Sequence, residues 1–196
     1  IAISSEGHLF IGGSGSGKST LLDAMSVLLT PGVINFNAAA REGEKRSDRT
    51  LLSYMRGAWT TQQDEEGRSV LQYLRKQSTW TALALTYESG SSVVTLMFVG
   101  VIRGSSNDDA RVLRHYYVVP DSVELSELSD FSKYNYDWTF IKKRLPQAKS
   151  YPRFAPYCEN FRKVFGIEEE TVFKLLHKAQ SARNLGDLNQ FLRKFM

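Results

Sequence analysis

The sequence predicts an α/β protein with a mixed β-sheet, flanking helices and a helical subdomain. Three observations predict this class. A glycine-rich loop lies between an apolar run and a segment with helical spacing, β-rich runs occupy much of residues 79–119, and helical periodicity dominates from residue 125 onwards. We expect residues 1–120 to form the α/β part and residues 121–196 the helical part of one domain.

The glycine-rich loop satisfies the phosphate-binding pattern G-x-x-x-x-G-K-[ST] in every constrained position. It consists of Gly12, Gly13, Ser14, Gly15, Ser16, Gly17, Lys18, Ser19 and Thr20. Glycines let backbone N–H groups converge on a polyphosphate without Cβ atoms in the way. We expect the Lys18 ammonium to bind the β- and γ-phosphates of ATP and the Ser19 hydroxyl to complete the coordination of Mg²⁺.

The flanks of this loop support the interpretation, because the pattern is meaningful only between a strand and a helix. His8–Ile11 is an apolar run suited to a buried strand, and Ile1–Ile3 is expected to pair with it as a hairpin. Lys18–Leu29 carries leucines at helical spacing, and Thr30-Pro31-Gly32 ends that helix. The alternative, a glycine–serine linker that contains a lysine, explains neither flank.

The next segment is predicted to contain a short helix between two loops. Residues 32–49 are polar and loop-like, and Asp48 is expected to cap a helix over Arg49–Arg56 that Gly57 closes. Trp59–Gly67 is predicted to be a loop.

The β-rich runs predict a hairpin followed by a third strand. Thr79–Tyr87 and Ser92–Ile102 flank the turn-like segment Glu88–Ser91. Arg111–Val119 alternates well enough to be the third strand, and Pro120 ends it. The helical segments that follow are Leu125–Lys133, Tyr136–Leu145, Arg153–Phe165, Glu168–Lys178 and Asp187–Met196.

Composition sets broad limits on the protein class. With 42% hydrophobic and 23% charged residues, the chain has the composition of an ordinary soluble domain. Cys158 is the sole cysteine, so an internal disulfide is excluded and a reducing compartment fits. The longest apolar run, Val93–Ile102, is too short to span a bilayer, and we expect a cytoplasmic protein without membrane contact. The chain begins without Met in a strand-like segment, so we expect it to be a piece of something longer.

A complete P-loop ATPase also needs an acidic residue at the end of an apolar strand, which holds Mg²⁺ and polarises the attacking water. The best apolar strand, Val93–Ile102, runs into Arg103 without a carboxylate, and Asp108-Asp109 is more simply a solvated turn. Either the chain is catalytically incomplete, or the acidic strand lies in other sequence.

Several blocks of the chain resemble the N-terminal half of the ATPase head of SMC-like proteins, and most closely the MukB/MksB-like JetC subunits of Wadjet plasmid-defence systems. The blocks are Gly12–Ala24, Phe36–Ala40, Arg49–Trp59 and Lys178–Asn189. The resemblance implies an ABC/SMC-type P-loop NTPase lobe. It also implies that a coiled coil divides the head, so that the acidic strand and the signature motif return in the C-terminal half and this piece alone is inactive.

The same resemblance implies roles for two further residues. Gln180 matches the glutamine that senses Mg²⁺ and the γ-phosphate, and Arg56 matches the arginine that lies near nucleotide or DNA. The alternatives are a surface amide for Gln180 and a solvated helix end for Arg56.

The resemblance further implies a mechanism and partners. ATP–Mg²⁺ would join two copies of the head, hydrolysis would separate them, and the cycle would drive DNA loop extrusion. The implied partners are DNA without sequence preference, a kleisin, a KITE-type subunit and a nuclease. Arg41, Lys45, Arg46 and Arg49 form one basic cluster and Lys142–Arg144 another, and either is a candidate for phosphate contact or simply a solvated surface.

Two other functional hypotheses remain open at this point. A self-contained small-molecule kinase would need a lid with clustered arginines, for which Arg103–Arg114 is the one candidate. A non-catalytic module would use nucleotide as a structural ligand. His8, His115 and His177 lack metal-ligand spacing, so no metal chemistry is assigned to them.

Overall fold

A computed structural model describes residues 1–4, 6, 8–13, 15–30, 36 and 49–168. The predicted helix Asp187–Met196 and nearly all of the predicted helix Glu168–Lys178 lie outside the described residues, as does most of the predicted loop 32–49. Within the described part of the chain, no helix is both long and apolar enough to cross a bilayer.

Two helices precede the sheets. Helix α1, Lys18–Leu29, has the predicted bounds and ends at Thr30. Helix α2, Leu51–Arg56, ends at Gly57, which has the left-handed φ of 67° that favours glycine. Its N-cap is Thr50 and not the predicted Asp48. The Thr50 side chain accepts from the Ser53 N–H while the Ser53 side chain accepts from the Thr50 N–H.

A two-stranded antiparallel sheet follows α2, so the prediction of a loop over Trp59–Gly67 is wrong. Strand β1, Ala58–Gln63, pairs with β2, Ser69–Tyr73. The Asp64 carboxylate fixes the connecting turn by accepting from the backbone N–H groups of Glu66 and Arg68. Backbone pairing and this turn make the hairpin, whereas the threonines and glutamines of β1 provide little apolar alternation for a sequence pattern to detect.

The main sheet has four antiparallel strands in the order β3-β4-β5-β6. They are β3 at Thr79–Ser89, β4 at Ser92–Ile102, β5 at Leu113–Val119 and β6 at Lys149–Tyr151. The predicted hairpin is confirmed, since Ser89 pairs with Ser92 across a two-residue turn in which Gly90 has a φ of 58°. The third strand is also confirmed. Every strand pair among the described residues is antiparallel, so the described sheets are not the predicted mixed sheet.

The segment before the phosphate-binding loop departs from its prediction. The described residues of 1–4 and 8–13 are not in a strand, and Leu9 and Ile11 are 78% and 86% exposed. The expected hairpin of Ile1–Ile3 with His8–Ile11 is therefore wrong for this structure. A strand needs a neighbour to satisfy its backbone groups, and none of the described strands lies beside this segment.

The second half is helical, with shifted bounds. Leu125–Ser132 forms a 3-10 helix instead of the predicted α-helix, α3 spans Trp138–Arg144, and α4 spans Phe154–Phe165. Helix α3 begins later than predicted because Tyr136 has a positive φ and Asp137 caps the helix by accepting from the Thr139 N–H.

Both faces of the main sheet are buried. One face packs against α1, α2 and α4, and the other packs against residues 125–145. Along β4, Leu96 and Phe98 point into the first core while Met97 and Val99 point into the second. This two-sided burial explains why β4 reads as a continuous apolar run.

We predict that Gly100→Ala destabilises the protein by about 1–3 kcal/mol through overpacking. A Cβ at this position on β4 would lie 2.7 Å from Met55 Sδ and 2.8 Å from Phe98 Cζ. Thermal unfolding of the full-length protein measures the effect. Adding Met55→Val should recover part of the loss because it removes the contacting sulfur. Equal stability of Gly100→Ala and wild type would contradict the described packing of α2 on β4.

Candidate functional site

The phosphate-binding loop is closed by the side chain of Lys18. Its Nζ lies 2.5 Å from the carbonyl oxygen of Gly12, 2.7 Å from that of Gly13 and 3.1 Å from Ser16 Oγ. The ammonium thus lies across the loop opening, bound by oxygen atoms. Phosphate oxygens are acceptors of the same kind with more negative charge, so this position suits the predicted role of Lys18.

The loop glycines meet specific steric demands. Gly15 and Gly17 have φ values of 80° and 90°, in the left-handed region where a Cβ is strained. A Cβ on Gly12 would lie 2.6 Å from Ser16 Oγ. Ser14 lies outside the described residues.

Helix α1 presents its N-terminus to the loop. Gly17 is its N-cap and offers no side-chain acceptor, and the first turn contains no acidic residue. The Leu21 N–H bonds back to the Gly17 carbonyl at 3.1 Å, whereas the N–H groups of Lys18, Ser19 and Thr20 have no carbonyl one turn earlier in the helix. These N–H groups and the helix dipole form an anion site, and Ser19 beside them is exposed.

Two polar contacts that the sequence pattern does not indicate reach α1 from the region of α2. Arg49 Nη1 lies 2.7 Å from Asp23 Oδ2, and Asp23 is buried. Tyr54 Oη donates to the Thr20 carbonyl at 3.3 Å, and the Phe36 ring stacks on the Tyr54 ring at 5.5 Å. Burial, and then the Asp23 carboxylate, raise the pKa of Tyr54, so its hydroxyl stays protonated and able to donate near neutral pH.

Arg56 is 1% exposed, so the alternative of a solvated helix end is wrong. Its guanidinium donates hydrogen bonds to the carbonyls of Arg75, Gln77, Gly104 and Ser106. It also lies over the Tyr73 ring, 5.9 Å from the ring centre. These contacts give Arg56 a structural role, and its role near nucleotide or DNA stays a prediction.

The remaining predicted residues are Gln180, the two basic clusters and the histidines. Gln180, Arg41, Lys45 and Arg46 lie outside the described residues. Lys142–Arg144 form the exposed last turn of α3, where cations interact favourably with the helix dipole. His115 stacks on Trp138 at 4.2 Å, and burial lowers its pKa. The described residues contain no cluster of His, Cys, Asp or Glu that could hold a metal ion.

The acidic pair Asp108-Asp109 has a structural function. Asp109 Oδ1 accepts from the Leu52 N–H at 2.8 Å and so caps α2, and Asp108 caps the short 3-10 turn Asp109–Arg111. Asp109 is therefore more than the solvated turn that the sequence suggests. Arg103 donates to Asn135. The stretch 103–114 is thus bound to the rest of the fold at Arg103, Gly104, Ser106 and Asp109.

We predict that Arg56→Lys lowers the free energy of unfolding by about 2–4 kcal/mol. Lysine has three donors in place of the guanidinium fork, so buried carbonyls lose their partners. Chemical denaturation of the full-length protein measures this. A variant with unchanged stability but weaker nucleotide binding would contradict the structural role and favour direct contact with nucleotide.

Comparisons with known proteins bear on the loop. Residues 1–43 match the protein-family model described as the P-loop containing region of AAA domain. A search of curated proteins finds no match to the chain. The matched residues include the closed loop and the whole of α1. Together with the geometry above, the match indicates a P-loop nucleotide-binding region of the NTPase type, which in general binds ATP with Mg²⁺.

Proposed function

We propose that the chain binds ATP–Mg²⁺ through residues 12–20 as the N-terminal half of an SMC-like ATPase head. The observation that carries the proposal is the position of the Lys18 ammonium, bound across the loop at the uncapped N-terminus of α1. In this proposal Lys18 binds the β- and γ-phosphates and Ser19 ligates Mg²⁺. Gln180 senses Mg²⁺ and the γ-phosphate.

A second half of the site is needed for hydrolysis. In the part of the chain that the structure describes, the apolar strand β4 ends without a carboxylate, and the Asp109 carboxylate caps α2. The apolar side chains of Leu9 and Ile11, which precede the loop, are exposed, and those of Leu21, Leu22 and Met25 in α1 are only half-buried. Strands of a C-terminal half that covered these side chains would bury them and could supply the acidic residue.

The proposed cycle follows the resemblance to SMC-like heads. ATP–Mg²⁺ held by the loop joins two heads when the signature segment of the opposite head contacts the γ-phosphate, and hydrolysis separates them. The proposed work is DNA loop extrusion in a plasmid-restriction or chromosome-organising complex. A kleisin, a KITE-type subunit and a nuclease are the proposed partners, and DNA is held through phosphate contacts.

We predict that Lys18→Ala weakens binding of ATP–Mg²⁺ by the full-length protein at least about a hundredfold, because the loop loses the cation that faces the β- and γ-phosphates. Equilibrium titration with a fluorescent ATP analogue measures it. Lys76→Ala is the matched control, since Lys76 is exposed and lies outside the loop.

Equal affinities of wild type and Lys18→Ala would overturn the proposal. Two other results would favour one of the alternative functions. Transfer of phosphate to a small acceptor would indicate a kinase, and tight binding without turnover would indicate a module that uses nucleotide as a structural ligand.

A further inference from the structure

Helix α2 is fixed to the main sheet by contacts along its whole length. At its N-terminus the Asp109 carboxylate accepts from the Leu52 N–H. At its C-terminus Arg56 donates to carbonyls of the 75–77 and 104–106 segments. Between these ends Met55 is fully buried against Gly100 of β4. Helix α2 is therefore both packed on the main sheet and hydrogen-bonded to the segments that flank its strands.

Helix α1, in contrast, is held differently at its two ends. Its C-terminal residues Val27, Leu28 and Leu29 are at most 5% exposed and lie in the apolar core. Lys18, Ser19 and Thr20 at its N-terminus are exposed or half-buried. Apolar packing thus fixes the end that is far from the loop.

The polar contacts from Arg49 and Tyr54 fall in the first two turns of α1. Tyr54 holds the carbonyl of Thr20, the third residue of the helix. Arg49 holds Asp23, which lies one turn beyond Ser19 on the same face of the helix. Tyr54 is a residue of α2, and Arg49 immediately precedes the N-cap Thr50. Both contacts therefore join the N-terminal end of α1 to α2.

We propose that Arg49 and Tyr54 are positioning residues for the nucleotide site. They set the direction in which the N–H groups of Lys18–Thr20 face the phosphates, although neither residue needs to touch the nucleotide. The inference rests on the proposed function, because it assumes that the loop binds ATP–Mg²⁺.

Charge gives Arg49 a second effect. The Asp23 carboxylate lies one helical turn from the Ser19 hydroxyl, and its negative charge disfavours a polyphosphate bound at the start of α1. The ion pair with Arg49 at 2.7 Å offsets that charge. Loss of Arg49 should therefore cost more affinity than loss of the Tyr54 hydroxyl.

The test measures ATP–Mg²⁺ affinity and thermal unfolding in parallel on variants of the full-length protein. Arg49→Gln should raise the dissociation constant about tenfold, a typical size for coupling between a site and its support. Tyr54→Phe should raise it about threefold, since one hydrogen bond is lost. Arg49→Lys keeps a positive charge beside the Asp23 carboxylate and should retain most of the wild-type affinity.

Arg68→Gln is the matched control. It breaks another Arg–Asp pair, in which Arg68 Nε lies 2.9 Å from Asp64 Oδ2, on the exposed β1–β2 turn. This variant should bind ATP–Mg²⁺ as wild type does. If Arg49→Gln does not fold, Tyr54→Phe still tests the proposal, because it removes a single oxygen atom.

The outcomes separate this inference from the proposed function. Wild-type affinity in Arg49→Gln and Tyr54→Phe, with binding lost in Lys18→Ala, would overturn the positioning role and leave the proposed function standing. The positioning role would also be overturned if the loss of affinity in each variant were fully explained by the fraction of unfolded protein. A wild-type protein that does not bind ATP–Mg²⁺ would overturn both.

Discussion

The buried guanidinium of Arg56 is the interaction on which the described structure depends. It joins α2 to the segment between β2 and β3 and to the segment between β4 and β5, and each of its five hydrogen bonds ends on a backbone carbonyl. A buried cation is costly unless its donors are satisfied, and here they are satisfied by the loops that it joins. The position of α2 on the sheet follows from this arrangement.

The candidate site depends on α2 in turn. Helix α1 enters the core through its C-terminal half, while its first turns meet the polar side chains of Arg49 and Tyr54. The closed loop of Lys18 is therefore supported from two sides, by the apolar core and by α2. An anion site at a helix N-terminus needs such support because its free N–H groups donate along the helix axis. The orientation of the helix therefore sets where an anion can bind.

The sequence was most informative where a local pattern carries the structure. Helix α1 and the β3–β4 hairpin follow from helical spacing and from a glycine turn between β-rich runs. Strand β1 was missed because its threonines and glutamines provide little apolar alternation, although its partner β2 is only one turn away. The three-residue β6 was missed because it pairs with β5, which is distant in the chain. The burial of Arg56 and the ion pair of Arg49 were hidden for the same reason, since their partners lie 19 to 50 and 26 residues away in the chain. The strand predicted at His8–Ile11 lacks a described neighbour.

Turnover of ATP by the full-length protein, measured with and without circular DNA beside a Lys18→Ala control, tests the account most directly. We expect turnover that circular DNA stimulates and that the Lys18→Ala variant loses, because the loop binds ATP productively within a DNA-dependent motor. Tight ATP binding without turnover under any DNA condition would contradict the motor and leave a module held together by nucleotide.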